Sequence, residues 1–186
     1  MFLCLLIICF GGSAVLGGVY LITYQPIANA QAAKVNQALA GVLPEFDNVP
    51  AEEAYQIQVD GRAVTVYPAK KAGLFEGAAV EAVTTKGFGG PITLMVGFKA
   101  DGTIYNTAVI SHSETPGLGD KMDPKKSDFS LQFKGKNPGT FKLAVTKDGG
   151  QVDAITAATI SSRAFCDAVD LAYRAFIQVA QKGGDQ

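Results

Sequence analysis

The pattern of hydrophobic and polar positions separates an apolar N-terminal block from a longer region of short elements. No charged residue occurs from 1 to 24, and the first charge along the chain is Lys34. A helix over that stretch would be about 36 Å long, which is enough to cross a hydrocarbon core of about 30 Å. We therefore expect a transmembrane anchor over 1–25, with Pro26 ending its helix. A cleaved signal peptide is the alternative, since Ala28-Asn29-Ala30 resembles a cleavage site.

Beyond the anchor, the pattern predicts a helical linker over 26–54 and then strands joined by tight turns. The linker contains an alanine-rich helix over Ala30–Leu43. Alternating strands at Tyr55–Val59 and Ala63–Tyr67 flank Asp60-Gly61, a strong hairpin signal. The remaining strands are predicted at Ala78–Thr85, Ile92–Phe98, Thr103–Ser111, Phe141–Thr146 and Val152–Ile155.

The last part of the chain predicts an amphipathic helix over Ser162–Gln181. Apolar residues recur there at three- and four-residue spacing, which is typical of a helix with one buried face. Packing this face on the strands gives an α+β domain over 55–186, with a twisted antiparallel or mixed sheet and packed helices, preceded by one transmembrane helix.

Charge and composition narrow the classes of function. The formal net charge is -1, which is too balanced to indicate a nucleic-acid partner or a polybasic membrane patch. The cysteines, Cys4, Cys9 and Cys166, have no metal-ligand spacing. His112 is the single histidine, so a multi-histidine metal site is excluded and we predict no metal site.

Two stretches carry candidate chemistry, and the first is Asp153–Ser162 (DAITAATISS), called here the threonine motif. A strand is predicted to end within it and a helix to begin at its end. The start of a helix presents unpaired N–H groups and a partial positive charge, which together stabilise a phosphate. Ala157 and Ala158 are small enough to let a ligand approach the backbone. Thr159 is thus well placed to carry a phosphate, although threonine before a helix is more often a cap.

The second stretch is His112–Gly119 (HSETPGLG), called here the HSETPGLG loop. It follows a predicted strand and combines two glycines, a proline and several polar groups. Such a loop can wrap a planar ligand with its backbone N–H and C=O groups. Taken alone, it is also consistent with an ordinary turn at the end of a strand.

In combination, these stretches and the glycine loop Gly87–Ile92 (GFGGPI) resemble the FMN-binding domain family. Within it, the order and spacing are most similar to the G subunits of Rnf-type electron-transport complexes, over nearly the whole chain. In that family the phosphate of FMN is esterified to a threonine in a motif of Asp, Ser or Thr, Gly, Ala and Thr. The resemblance places the acceptor at Thr159 and the earlier motif positions at Asp153 and Thr156. Ala157 stands where the family usually has glycine, and Ala158 follows it.

The resemblance also implies which other residues contact the flavin. Phe88 would stack near the ring, with a buried core position as its alternative. His112 would hydrogen-bond the flavin, and a purely structural role is equally consistent. A separate flavin transferase would attach FMN from FAD with the help of a magnesium ion, so the chain would have no catalytic residue of its own. The remaining implied contacts are Glu114, Thr115, Leu118 and Gly119.

The function implied by the resemblance is an electron relay in an Rnf-type ion-translocating ferredoxin:NAD oxidoreductase complex. The chain would not be catalytic alone. Its partners would be the other membrane subunits and membrane lipid, with the FMN domain on the periplasmic side of the inner membrane. Two alternatives stay open: the C subunit of a sodium-translocating NADH:quinone reductase, and a flavin-free membrane-anchored assembly module.

Overall fold

The described residues contain two α-helices, five strands and three short 3-10 turns, joined by loops. The computed structural model describes residues 2–183, and the chain divides into two units, Met1–Asn36 and Gln37–Gln186. Met1 and residues 184–186, which belong to the predicted anchor and the predicted C-terminal domain, lie outside the described residues. The predicted domain boundaries after residues 25 and 54 stay a prediction. In chain order, the elements are α1 (Phe2–Val42), β1 (Tyr55–Val59), β2 (Arg62–Lys71), β3 (Leu74–Thr84), β4 (Ile92–Lys99), β5 (Ile104–Ser111), the 3-10 turns Gly119–Met122, Phe129–Phe133 and Thr146–Asp148, and α2 (Thr159–Gly183).

Helix α1 continues through Pro26, so the prediction of two helices divided at that residue is wrong. Proline has no backbone N–H to donate and destabilises a helix that contains it. The residues on both sides of Pro26 nevertheless remain helical. One turn before the proline, Thr23 Oγ1 donates a hydrogen bond to the carbonyl of Val19 at 2.8 Å. Among the described residues, no helix is both long enough and apolar enough to cross a membrane.

The five strands form an antiparallel sheet in the order β1-β2-β3-β4-β5, so each strand pairs with its neighbours in sequence. The first hairpin turns at the predicted residues. Asp60 has φ 50 and Gly61 has φ 73, as the favoured two-residue hairpin turn requires. The predicted α+β class and the antiparallel form of the sheet are therefore confirmed.

Different helical segments cover the two faces of the sheet in the unit Gln37–Gln186. On one face, Val80, Leu94 and Val96 join the apolar side of α2 in a continuous hydrophobic core. On the other face, Gly97 lies so close to the carbonyl of Val42 that a Cβ could not fit. Strand β4 is therefore buried on both faces, which explains its uninterrupted apolar sequence.

The segment between residues 141 and 155 does not form the two predicted strands. It contains one isolated parallel bridge, Val145↔Val152, and a 3-10 turn. The chain reverses through Gly149, which has φ 73, and Gly150 packs against the backbone of Ala144. The backbone groups of this segment therefore form hydrogen bonds within a compact loop. For example, the N–H of Thr146 donates to the carbonyl of Val152 at 2.9 Å.

Candidate functional site

A cavity of about 350 Å³ lies at the N-terminal end of α2 and is called here the α2 cavity. Its walls come from three stretches that are far apart in sequence: the glycine loop, the HSETPGLG loop and the threonine motif. Folding therefore brings the three motifs of the sequence to one place. The lining residues are Phe88, Glu114, Thr115, Leu118, Gly119, Ala157, Ala158, Thr159, Ile160 and Ser161.

Thr159 is the first residue of α2, three residues before the predicted start of the helix. The carbonyl of Ala158 accepts the first helical hydrogen bond, from the N–H of Ser162 at 3.0 Å. The capping position before the helix thus belongs to Ala158, whose side chain cannot cap. The N–H groups of Thr159 and the next two residues have no carbonyl within their own helix. These N–H groups lie at the N-terminal end of the helix, where the helix dipole is positive. An anion is therefore stabilised there.

Ser162 fixes the turn that leads into the helix. Its Oγ accepts a hydrogen bond from the N–H of Ile155 at 2.9 Å and donates to the carbonyl of Ala158 at 3.0 Å. The N–H of Ala158 also donates to the carbonyl of Ile155 at 3.0 Å. Because Ser162 is fully buried, these bonds hold the backbone beside Thr159 in one conformation.

Ala157 has φ 62, in the left-handed region that L-residues with a Cβ seldom adopt. The turn into α2 therefore requires a conformation for which glycine is better suited. Ala157 is the position where the resemblance to the FMN-binding family expected glycine. The structure thus gives the physical reason for that preference.

Glu114 connects all three walls of the α2 cavity. Its Oε2 accepts a hydrogen bond from Ser161 Oγ at 2.5 Å, and its Oε1 accepts one from the N–H of Gly89 at 3.1 Å. Its own N–H donates to His112 Nδ1 at 3.1 Å. The residue is 5% exposed. The carboxylate thus links the glycine loop and the HSETPGLG loop to the first turn of α2.

Comparison with known proteins identifies the family. Residues 87–174 match the FMN-binding domain model. The G subunit of the ion-translocating oxidoreductase complex of Stutzerimonas stutzeri is 36% identical over 154 residues, which cover 80% of this chain and 67% of that protein. The corresponding proteins of Vibrio atlanticus and Shewanella piezotolerans are 37% and 34% identical, covering 80% and 87% of this chain and 75% and 81% of theirs.

The chain belongs to the family of G subunits of ion-translocating oxidoreductase complexes. The resemblance to the FMN-binding domain and to these G subunits, expected from the motifs, is confirmed. The match to the domain model begins at the glycine loop and ends within α2, so it contains every residue that lines the α2 cavity.

In this member of the family, eight of the predicted site residues line the α2 cavity, and Asp153, Thr156 and His112 do not. Asp153 is exposed, and its N–H donates to Gln132 Oε1 at 2.8 Å. Thr156 is exposed and directly precedes the left-handed residue Ala157. His112 is half-buried, and its Nδ1 accepts the hydrogen bond from the N–H of Glu114. Direct contact between these residues and a flavin stays a prediction.

Two lining residues, Ile160 and Ser161, were missed by the sequence reasoning. Both lie in the first turn of α2, whereas the predicted helix began after them, at Ser162. Phe88 is 69% exposed, so the interpretation of that ring as buried core is wrong. Phe88, Leu118 and Ile160 instead give the cavity an exposed apolar rim.

The walls of the α2 cavity suit the two chemically different ends of FMN. Unpaired N–H groups at the start of α2 offer hydrogen bonds to a phosphate. The exposed side chains of Phe88, Leu118 and Ile160 offer apolar surface to an aromatic ring. Ala157 and Ala158, which also line the cavity, carry only methyl side chains. The residues present therefore fit the cofactor of the matched domain.

One ion pair, between Asp120 and Lys126, lies next to the HSETPGLG loop. Asp120 follows the HSETPGLG loop and is buried, and Lys126 Nζ donates to its Oδ2 at 2.6 Å. This ammonium group holds the pKa of Asp120 below its ordinary value. Among the described residues, no cluster of three or more His, Cys, Asp and Glu side chains offers a metal site.

Proposed function

We propose that this chain is a flavoprotein that carries FMN as a phosphoester on Thr159 and relays electrons as one subunit of an ion-translocating oxidoreductase complex. The observation that carries the proposal is the convergence of three sequence-distant motifs on one cavity. Thr159 lies in its wall as the first residue of a helix. The family membership and the matched FMN-binding domain support the same conclusion.

The attachment that we propose forms a bond between Thr159 Oγ1 and the FMN phosphorus. When FAD is the donor, the pyrophosphate bond breaks, AMP leaves and the threonine proton is released. An unactivated threonine hydroxyl is a poor nucleophile, so this step needs a base. Glu114 is the one carboxylate among the lining residues, and both of its oxygens already accept hydrogen bonds. We therefore assign the chemistry to a separate flavin transferase with magnesium.

The chain's own residues would bind and orient the cofactor. When bound, FMN supplies both one-electron and two-electron transfer. The N–H groups at the start of α2 would hold the phosphate, and Phe88, Leu118 and Ile160 would contact the ring. An ester bond prevents loss of the cofactor on the side of the membrane where free FMN is scarce.

We place the chain at the inner membrane, with residues 1–25 as a single-pass anchor and the FMN-binding domain on the periplasmic side. The support is the uncharged sequence from 1 to 24 and the name of the relatives' complex, since ions are translocated across membranes. The partners would be the other subunits and membrane lipid. Alkaline carbonate extraction and protease treatment of spheroplasts test this placement. Release by carbonate, or protection from the protease, would contradict it.

The G-type relatives favour this function over the C subunit of a sodium-translocating NADH:quinone reductase. The matched FMN-binding domain favours it over a flavin-free assembly module.

The decisive experiment is co-expression with a flavin transferase, followed by intact-mass and peptide-mass measurement and by ultraviolet imaging of a denaturing gel. We expect the mass of FMN less one water on a peptide containing Thr159, and a fluorescent band. Thr159→Val should abolish both signals. Thr140→Val, at an exposed threonine outside the cavity, should retain them. An unmodified wild-type chain would overturn the proposal, and fluorescence in Thr159→Val would overturn the assignment of the acceptor.

A further inference from the structure

The Glu114 carboxylate is engaged by protein groups on both of its oxygens. Ser161 lies 47 residues away in sequence and Gly89 lies 25 residues away, yet each donates to a different oxygen of Glu114. These two partners belong to different walls of the α2 cavity. A side chain used in this way is suited to setting the distance between walls.

The backbone of Gly87 and Gly119 lies so close to the Glu114 carboxylate that neither position has room for a side chain. A Cβ on Gly119 would collide with Glu114 Oε2 and Ser161 Oγ, and one on Gly87 would lie 2.7 Å from Glu114 Oε1. Glu114 therefore occupies a fitted space between the glycine loop and α2. Neither glycine has a positive φ, and at Gly119 the nearest obstacles to a Cβ are Glu114 and Ser161. At Gly87 the carbonyl of Gly90 lies closer still, so the glycine loop also excludes a side chain there.

The bonds are of the kind that can hold a buried carboxylate. Removing a charged group from water is costly unless hydrogen bonds replace the lost hydration. The 2.5 Å separation between Ser161 Oγ and Glu114 Oε2 is typical of a hydroxyl bonded to a carboxylate, which is stronger than a neutral pair. The start of α2 adds a favourable interaction with negative charge.

We propose that Glu114 is a positioning residue that clamps the glycine loop to the first turn of α2, with Ser161 as its partner. The clamp keeps the α2 cavity in the form that receives FMN, and this role rests on the function proposed above. The sequence resemblance implied a direct contact between Glu114 and the flavin. The clamp assigns its carboxylate oxygens to Ser161 and Gly89 instead.

Three variants separate the effect of the hydrogen bonds made by Glu114 from the effect of its negative charge. Glu114→Ala removes both bonds, whereas Ser161→Ala removes one. Glu114→Gln can keep both, because its amide oxygen can accept from Gly89 and its amide nitrogen can donate to Ser161 Oγ. Ser130→Ala is the matched control for Ser161→Ala, since Ser130 is a buried serine that does not line the cavity.

The first measurement is the rate of FMN attachment by the transferase as a function of acceptor-protein concentration. Loss of a hydrogen bond to a charged group predicts a fall in kcat/KM of about tenfold or more for Glu114→Ala and Ser161→Ala. Glu114→Gln should restore the rate to within about threefold of wild type, since the lost charge-assistance is smaller than a lost bond. Ser161→Ala should add nothing in the Glu114→Ala background, because the two residues form one interaction.

The second measurement uses the chain without flavin. Amide hydrogen exchange of Gly89 should accelerate about tenfold or more in Glu114→Ala, and should stay near the wild-type rate in Glu114→Gln. Ser161→Ala, which removes only a hydroxyl, tests the clamp even if Glu114→Ala does not fold. Glu114→Gln behaving like Glu114→Ala, or additive effects of the two alanine changes, would overturn the clamp. An unmodified wild-type chain would instead overturn the proposed function, while the exchange measurement would still test the clamp.

Discussion

Ala157→Gly tests the left-handed turn on which the threonine motif depends. Ala157 has φ 62, and the left-handed region costs an L-residue with a Cβ roughly 1–2 kcal/mol. Its methyl group is exposed, so little burial is lost when it is removed. Glycine makes the unfolded chain more flexible, which offsets about 0.4–1 kcal/mol of the gain. We therefore expect the free energy of unfolding to rise by about 0.5–1 kcal/mol.

The assay is thermal and urea unfolding of the flavin-free chain. For a protein of this size, the expected gain corresponds to a rise in Tm of about 1–4 °C. The same change should increase the fraction of chains that receive FMN, because the motif then adopts the required backbone conformation without strain.

Two other alanine-to-glycine changes serve as controls. Ala158→Gly lies one residue further on, where φ is not positive and the residue is only 7% exposed, so it should lower stability by about 1 kcal/mol. Ala72→Gly removes a Cβ at φ 51 in a distant hairpin, and should stabilise the chain without changing flavin attachment. A fall in Tm for Ala157→Gly, or a rise for Ala158→Gly, would refute the reasoning.

Three further predictions concern buried or half-buried groups outside the cavity. Thr107 Oγ1 is buried with no hydrogen-bond partner among the described residues, so Thr107→Val should raise the free energy of unfolding by about 1 kcal/mol in urea titrations, and a loss of stability would contradict this. Burial acts to raise the pKa of Asp167, but hydrogen bonds from Lys86, Thr84 and Arg62 outweigh it and leave the pKa lowered. Stability from this carboxylate is present above its unfolded pKa of about 3.9 and is lost as pH falls through the lower folded value, so Asp167→Asn should flatten acid unfolding below about pH 4. An unchanged acid transition would show that the bonds contribute nothing. Burial raises the pKa of the Cys166 thiol to about 12, so with Cys4 and Cys9 replaced by serine, iodoacetamide at neutral pH should label Cys166 only after unfolding. Rapid labelling of the native chain would contradict that burial.

The sequence by itself determined the elements whose signals are local. Asp60-Gly61 carries its own turn chemistry, and the first hairpin forms there. The apolar run at Ile92 predicted a buried strand, and the spacing of apolar residues after Ser162 predicted a helix. The threonine motif and the HSETPGLG loop were recognisable because their order and spacing belong to a family.

The sequence was less informative at Pro26 and in the segment after Phe141. Pro26 lies inside a continuous helix, although proline usually disfavours one. The segment after Phe141 alternates like a strand, but its backbone groups bond within a compact loop. The hydrogen bonds of this second segment depend on neighbours that the local pattern does not specify.

Only the tertiary structure decided how the site is assembled. Glu114 and Ser161 are 47 residues apart, and no spacing rule joins them, because their contact depends on how the sheet and α2 pack. The left-handed conformation of Ala157 likewise depends on the bonds that Ser162 makes to both sides of the turn. Local sequence thus determined which chemical groups are available, whereas long-range packing determined which of them meet.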